Sequence, residues 1–477
     1  MIRHYDLNGI KYYPDKFYVC LDGVDIENLV GFFTNFNINE QQAAFIHEYY
    51  HYLTNITTFA GVRQFNLNFI DRFRIVVNLV DKERLNAFPI NANKKESCSQ
   101  LIQYWNDISE ILNEDDIDYD FARIVEQSPL KKVGIKSFEK VSKEISCYDG
   151  EEEVKGCRVF IKVNVDGDIN KDSFILSFGA IDEFLSAAID EFLFEKDFSN
   201  VDPRDLNKRP YYPYRILDDI MAYFGVDRVT PFEKIILSYY ALHSENPPTI
   251  LIDTLEQIQK DGVDIFRENP EKYLLSKRHS YTQYDSTLNY TNSCCKETTT
   301  QNRIHISQAI SYFYEQFYIA KSLKEQDFFY FIRPFFIEND ISELRGKQLF
   351  LLSFSRLLNI FNPPIILKEN QFRYFSSMTT VGESVLHILA TYEIYKSLET
   401  KKIAKRPDYY KNKYSFPDMD EDCDVYEKFP YPPFRSVFHL ALNELNLMIV
   451  YLKERDKDLW SSLNIDEVLK FYDIKLK

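Results

Sequence analysis

Apolar and polar residues alternate in two short stretches of the N-terminal half, and each stretch predicts a β-hairpin. Ile10–Leu21 alternates around Pro14-Asp15, a dipeptide typical of turns. Val159–Val163 and Phe174–Phe178 flank Asp166-Gly167-Asp168 in the same way. The pattern therefore predicts two small hairpins in a chain whose other apolar residues recur mostly at helical spacing.

The first predicted helix runs from Asn39 to about Thr58. Asn39 and Gln42 form a capping-box pattern at its start, and Gly61 lies just past its end. Helical spacing continues to about residue 125 and returns in the segments 179–196, 211–225, 230–242, 304 to about 400, 436–453 and 465–472. Polar segments without apolar periodicity predict a long loop at 279–303 and a charged connector at 401–433.

These elements predict an α+β fold that is predominantly α-helical. Glycine is scarce, with 13 among 477 residues, and aromatic residues make up 16% of the chain, which favours packed helices over a turn-rich β-sandwich. A chain of this length is too long to pack around a single compact hydrophobic core. We therefore expect two regions, 1–228 with both hairpins and a helical region at 229–477.

The charge of the chain argues against several classes of partner. A net charge of -16 at pH 7 repels nucleic acid and anionic membranes, so we expect neither as a partner. Met1–Asp6 has no apolar segment typical of a signal peptide. The 7 scattered cysteines form neither a disulfide framework nor a CxxC metal motif, which suits a reducing compartment. The sequence predicts a cytoplasmic protein.

His47-Glu48-Tyr49-Tyr50-His51 is an HExxH motif on the first predicted helix. His47 and His51 lie one turn apart on one face, so both imidazoles can bind one tetrahedral Zn²⁺. Glu48 is rotated about 100° from His47 and can take a proton from water on the metal without binding the ion. The residues around the motif are aromatic and apolar, and burying these polar side chains is costly unless something pairs them. A metal would pair them, and a buried His–Glu hydrogen-bond cluster is the alternative.

Such a zinc site needs a third protein ligand. Thr54 and Thr57 occupy the places of Gly and His in the extended motif HExxHxxGxxH, so we expect an acid from another helix. The helix after the second hairpin carries Glu183, Ala187 and Asp190 on one face. Small Ala187 permits close contact with the HExxH helix. We expect Glu183 to bind the metal and Asp190 to accept the free N–H of a ligand histidine.

Several alternatives to these assignments stay open. Glu191 competes from the same helix, and Glu383 and Glu393 compete from another. An ordinary solvated face would also explain the acids of the helix that carries Glu183 and Asp190. Tyr214, in the donor-rich segment Arg209–Arg215, is the candidate to stabilise an oxyanion, although this segment equally fits an aromatic loop that leads into a helix.

The HExxH helix and the later acid-bearing helix resemble a gluzincin, the type of zincin metallopeptidase in which a Glu on a second helix completes the site. His47–Leu53 with Thr58 and Gly61 is also similar to a stretch of uncharacterised bacterial HExxH proteins. In those proteins a Gly-Ala-led helix that carries Glu and Ala follows, as in Gly179–Ala187.

This resemblance implies a zincin-like core in region 1–228 and a zinc-dependent metallopeptidase that hydrolyses a selected protein substrate. Glu48 would be the general base, and region 229–477 would shape the cleft or dock a protein partner. Two other functions stay open. One is a non-catalytic helical interaction protein with a structural or degenerate HExxH, and the other is a zinc hydrolase of a non-peptide amide.

Overall fold

The computed structural model describes residues 9–13, 17–22, 38–71, 133–146, 153–165, 173–201, 211–277, 283–300, 304–337, 342–369 and 372–376. The strands are β1 (Ile10–Tyr13), β2 (Tyr18–Asp22), β3 (Val133–Ser146), β4 (Glu153–Val165), β5 (Ser173–Leu176), β6 (Ile365–Glu369) and β7 (Phe372–Ser376). The helices are α1 (Glu40–Thr57), α2 (Phe59–Phe65), α3 (Phe178–Glu195), α4 (Tyr211–Tyr214), α5 (Ile216–Tyr223), α6 (Pro231–Leu242), α7 (Pro247–Asp261), α8 (Val263–Glu268), α9 (Pro270–Ser276), α10 (Gln283–Thr300), α11 (Ile304–Gln326) and α12 (Glu343–Ile360). A π-helix at Asn66–Asp71 and a 3₁₀ helix at Tyr330–Phe335 complete a predominantly helical α+β fold, as predicted.

The first sheet has the strand order β1-β2-β6-β7. Strands β1 and β2 pair antiparallel, which confirms the first hairpin, and β6 joins β2 in parallel. The prediction of helices from 304 to about 400 is wrong at β6 and β7. Pro363-Pro364 follows the end of α12, and the main-chain N–H of Val19 donates to the carbonyl of Pro364 at 2.9 Å. The apolar run after the prolines is therefore used for strand pairing.

The second sheet has the strand order β3-β4-β5. Strands β4 and β5 pair antiparallel, with Val159 opposite Leu176, which confirms the second hairpin. The long strand β3 was not predicted from the sequence. It pairs with β4 along its length and has a bulge between Ile135 and Ser137. Helix α3 begins directly after β5, so this sheet fixes the start of the acid-bearing helix.

The predicted capping box starts α1. The side chain of Asn39 accepts from the N–H of Gln42 at 2.8 Å, and the side chain of Gln42 accepts from the N–H of Asn39 at 3.0 Å. α1 ends at Thr57, as predicted, but Gly61 does not cap it, because Thr58 is extended and its hydroxyl accepts from the N–H of Gly61 at 3.1 Å. Gly61 lies inside α2, where a Cβ atom would come within 1.8 Å of the carbonyl oxygen of Asn55. Gly61 thus permits close contact between two helices rather than terminating one.

The other predicted helices are mostly present. α3 and α6 match their predicted ranges, whereas the predicted helix 211–225 is divided into α4 and α5. The predicted loop at 279–303 is wrong, because α10 covers most of it. Its buried residues recur at helical spacing but include polar and sulfur side chains: Tyr284, Thr287, Leu288, Thr291 and Cys294. The hydroxyl of Thr291 donates to the side-chain oxygen of Asn66 at 2.7 Å, which pairs this polar stripe.

The predictions for 72–125, 401–433, 436–453 and 465–472 lie outside the described residues. The division at residue 228 stays a prediction, although the pairing of β2 with β6 joins residues from both predicted regions. In the described part of the chain, no helix combines the length and the apolar character needed to span a membrane.

We expect Gly61→Ala to lower the free energy of unfolding by at least about 2 kcal/mol, because the new methyl group overlaps a main-chain oxygen that cannot move aside without distorting α1. Gly346→Ala is the matched control. Its methyl group would meet side-chain atoms of Ile337 and Phe198 at 3.3 and 3.4 Å, which can adjust. Urea unfolding curves of both variants test the prediction, and equal midpoints would contradict it.

Candidate metal centre

The candidate centre lies where α1 packs against α3. The two helices run antiparallel here, since His47 contacts Asp190 and His51 contacts Asp182. Ala187, the small residue expected to permit close contact, is buried, as is the apolar stripe of α3: Ile181, Phe184, Leu185, Ala188 and Phe192. His47, Glu48 and His51 are also buried, so the polar groups of α1 lie between packed helices rather than on a solvated face.

Each histidine is held through Nδ1 by an aspartate of α3. His47 Nδ1 lies 2.9 Å from Asp190 Oδ2, the contact expected from the sequence. His51 Nδ1 lies 2.7 Å from Asp182 Oδ2. When an aspartate accepts the N–H at Nδ1, the neutral form of each imidazole has its lone pair at Nε2. Both rings therefore offer Nε2 as a metal ligand.

Glu183 completes a group of three donor side chains. Its Oε2 atom lies 3.8 Å from His47 Nε2 and 3.5 Å from His51 Nε2. Neighbouring ligands of a tetrahedral zinc ion, at metal distances of about 2.0–2.2 Å, lie about 3.3–3.6 Å apart. The donor atoms of the three residues all lie within 4.8 Å of one another, which is close enough for one metal ion. Glu183 Oε2 is buried without a hydrogen-bond partner among the described residues.

Glu48 has a different environment. Its Oε2 atom accepts a hydrogen bond from the main-chain N–H of Tyr12 in β1, at 2.7 Å. Glu48 is not one of the three residues whose donor atoms come together. The two histidines of the motif thus face Glu183, whereas the carboxylate of Glu48 is hydrogen-bonded to the sheet.

The comparisons with known proteins give no direct guide to this site. No family model, curated protein or solved structure matches the chain. The arrangement of the donor atoms is therefore the basis for assigning a chemical role.

Asp182 is the site residue that the sequence analysis did not identify. A signal for it is present, because Asp182, Ser186 and Asp190 follow one another at four-residue spacing and form one row along α3. Ser186 lies between the aspartates, with Oγ 3.5 Å from the carbonyl oxygen of His47 and 3.5 Å from Nδ1 of His51. The two aspartates are eight residues apart on α3, and each contacts one of the two histidines, which are four residues apart on α1.

The charges in the centre shift three pKa values. Burial raises the pKa of Glu48, although the imidazoles of His51 and His47 oppose this effect. Burial lowers the pKa of His51, but the negative charges of Asp182 and Glu183 overcome it, so the pKa lies well above its usual value. Burial raises the pKa of Glu183, but the charge of His51 and the nearby His47 overcome it, so this pKa lies well below its usual value. The centre thus favours a cation next to an ionised Glu183.

The structure describes one of the three acids that compete with Glu183 as the third ligand. Glu191 forms an ion pair with Lys234 of α6 at 2.8 Å. Glu383 and Glu393 lie outside the described residues. Tyr214 is half-buried at the end of α4, and its role at an oxyanion stays a prediction.

We expect Asp182→Asn to lower the pKa of His51 in metal-free protein, because the variant removes a negative charge next to Nδ1. Because the pKa of His51 is higher in the folded protein than in the unfolded chain, protonation of His51 stabilises the fold. This stabilisation is complete below the unfolded pKa of about 6.5, and it is lost as the pH rises through the folded pKa. The stability lost in the variant should therefore be greatest at acidic pH. Histidine-selective NMR titration of chelator-treated protein measures the pKa. Glu191→Gln is the control on the same helix, and an equal shift in both variants would contradict the prediction.

Proposed function

We propose that this protein is a zinc-dependent metallopeptidase whose metal is held by His47, His51 and Glu183. The observation that carries the proposal is the buried Oε2 of Glu183, which faces two imidazole Nε2 atoms without a hydrogen bond. An ionised carboxylate oxygen in such a place is costly unless a cation pairs it. Two imidazoles and one carboxylate suit zinc and leave one position open, as in catalytic zinc sites.

The residues of the chain then take distinct roles in hydrolysis. A bound zinc ion would supply an activated water molecule and polarise the carbonyl of the substrate. Glu48 accepts the proton of the water and delivers it to the leaving amine, a task that suits a buried carboxylate with a raised pKa. Asp190 and Asp182 orient His47 and His51 through their Nδ1 atoms.

The substrate proposed for this centre is a selected cytoplasmic protein or peptide, with region 229–477 as the place where a protein partner docks. Glu48 is not one of the three donor residues, and its Oε2 atom is hydrogen-bonded to Tyr12. Three protein ligands leave one position of a tetrahedral ion open, which favours an enzyme over an interaction protein with a structural metal. Hydrolysis of a non-peptide amide needs the same groups and is the second candidate activity.

Purified protein should contain about one zinc ion per chain. Glu183→Ala and His47→Ala should lose it, because each removes one of three ligands. Glu191→Ala is the matched control on α3, since its carboxylate pairs with Lys234, and it should retain the metal. Metal analysis by mass spectrometry after removal of loosely bound ions measures the stoichiometry. Wild-type protein that neither contains zinc nor takes it up would rule out the proposed function.

Glu48→Gln should keep zinc and lower peptide hydrolysis by about a hundredfold or more, because an amide cannot accept the proton. A peptide library screened with wild-type protein would supply the substrate, and turnover of that substrate is then compared between the two proteins at equal zinc content. Turnover at the wild-type rate would remove Glu48 from the role of general base.

A further inference from the structure

One main-chain N–H of the edge strand β1 points at the HExxH helix instead of the neighbouring strand. Tyr12 is opposite Val19 of β2, and the N–H of Val19 donates away from β1, to the carbonyl of Pro364. Opposed residues of antiparallel strands either exchange both of their main-chain hydrogen bonds or exchange neither. The N–H of Tyr12 therefore also points away from β2, and there it donates to Oε2 of Glu48 at 2.7 Å.

Glu48 has the chemistry of a metal ligand as well as that of a base. It follows His47 directly in the chain and is buried with both histidines. Carboxylate oxygens are common zinc ligands, and a fourth protein ligand closes a tetrahedral site to water, as in structural zinc sites. If Glu48 joined His47, His51 and Glu183, the centre would hold zinc without an open position. Something must therefore hold Glu48 away from the ion.

We propose that the main-chain N–H of Tyr12 is a positioning group that keeps Glu48 from binding the metal and so preserves the open position. This inference rests on the proposed metal site. The bond fixes Oε2 on the side of β1 and leaves Oε1 as the oxygen that accepts a proton. The role belongs to the amide and not to the tyrosine side chain, whose hydroxyl accepts from Asn55 Nδ2 at 3.0 Å.

The decisive variant replaces Tyr12 with 4-hydroxyphenyllactate, its α-hydroxy acid, which exchanges the N–H for an ester oxygen and keeps the side chain. The protein is loaded with Co²⁺ instead of zinc, because the visible spectrum of cobalt reports the number and geometry of its ligands. Loss of a hydrogen bond to a charged group should shift the equilibrium towards metal-bound Glu48 by about tenfold to a hundredfold. We expect an altered cobalt spectrum and tighter cobalt binding.

Two controls isolate the amide of Tyr12. The same ester at Tyr13 removes an N–H that points towards β2, because successive residues of a strand alternate, and it should leave the cobalt spectrum unchanged. In a Glu48→Ala background, the ester at Tyr12 should have no effect on the spectrum, because no carboxylate is present to move. Tyr12→Phe keeps the amide and should give the same cobalt spectrum as wild-type protein.

An unchanged spectrum in the Tyr12 ester overturns the inference, and so does an equal change in the Glu48→Ala background. In both cases the proposed function survives, because wild-type protein still binds the metal. Wild-type protein that binds neither cobalt nor zinc overturns the metal site and this inference together.

Hydrogen exchange gives a second test that needs neither the ester nor the metal. The N–H of Tyr12 should exchange slowly although it is outside the strand ladder, because Glu48 accepts it. Glu48→Ala should speed its exchange by about tenfold to a hundredfold, while the exchange of the Tyr13 N–H stays unchanged. Equal exchange of the Tyr12 N–H in both proteins would overturn the inference.

Discussion

The arrangement of the candidate centre depends on the antiparallel contact between α1 and α3, which two histidine–aspartate hydrogen bonds fix at both ends. The bond from His47 to Asp190 and the bond from His51 to Asp182 are one helical turn apart on α1. A rotation or slide of either helix would break both bonds together. The same register brings Glu183 opposite the two Nε2 atoms. Three donor groups from two helices thus depend on one packing arrangement.

The rest of the fold holds this helix pair from several sides. Tyr49 and Tyr50 of α1 donate through their hydroxyls to the carbonyls of Phe361 and Phe331, at 2.9 and 3.2 Å. These bonds give both phenol hydroxyls a partner although α1 is buried on nearly every side. On the far side of α3, Lys234 of α6 pairs with an acid of α3 across a largely apolar contact. Polar contacts thus hold the helix pair on more than one side.

The sheet that contains β1 contributes a hydrogen bond to the candidate centre and also joins distant parts of the chain. Its edge strand β1 supplies the N–H that holds Glu48. The neighbouring strand β2 pairs in parallel with β6, which lies more than three hundred residues later in the chain. A motif on one helix would allow Glu48 to act as a ligand or as a base. The direction of one strand amide distinguishes the two roles, because a carboxylate held by that amide is not free to turn onto an ion.

The sequence by itself determined the local features of this protein. The spacing of His47 and His51 follows from helical geometry, and the capping box at Asn39 and both hairpins follow from contacts between residues close in the chain. The candidate role of Glu183 also followed from its helical face, although its position beside the histidines depended on how α3 packs. The roles of Asp182 and of the Tyr12 amide, and the use of the segment after Pro364 as a strand, were decided by the tertiary structure. The physical reason is that register between distant helices and the outward direction of a strand N–H depend on partners far away in the chain, which local spacing does not encode.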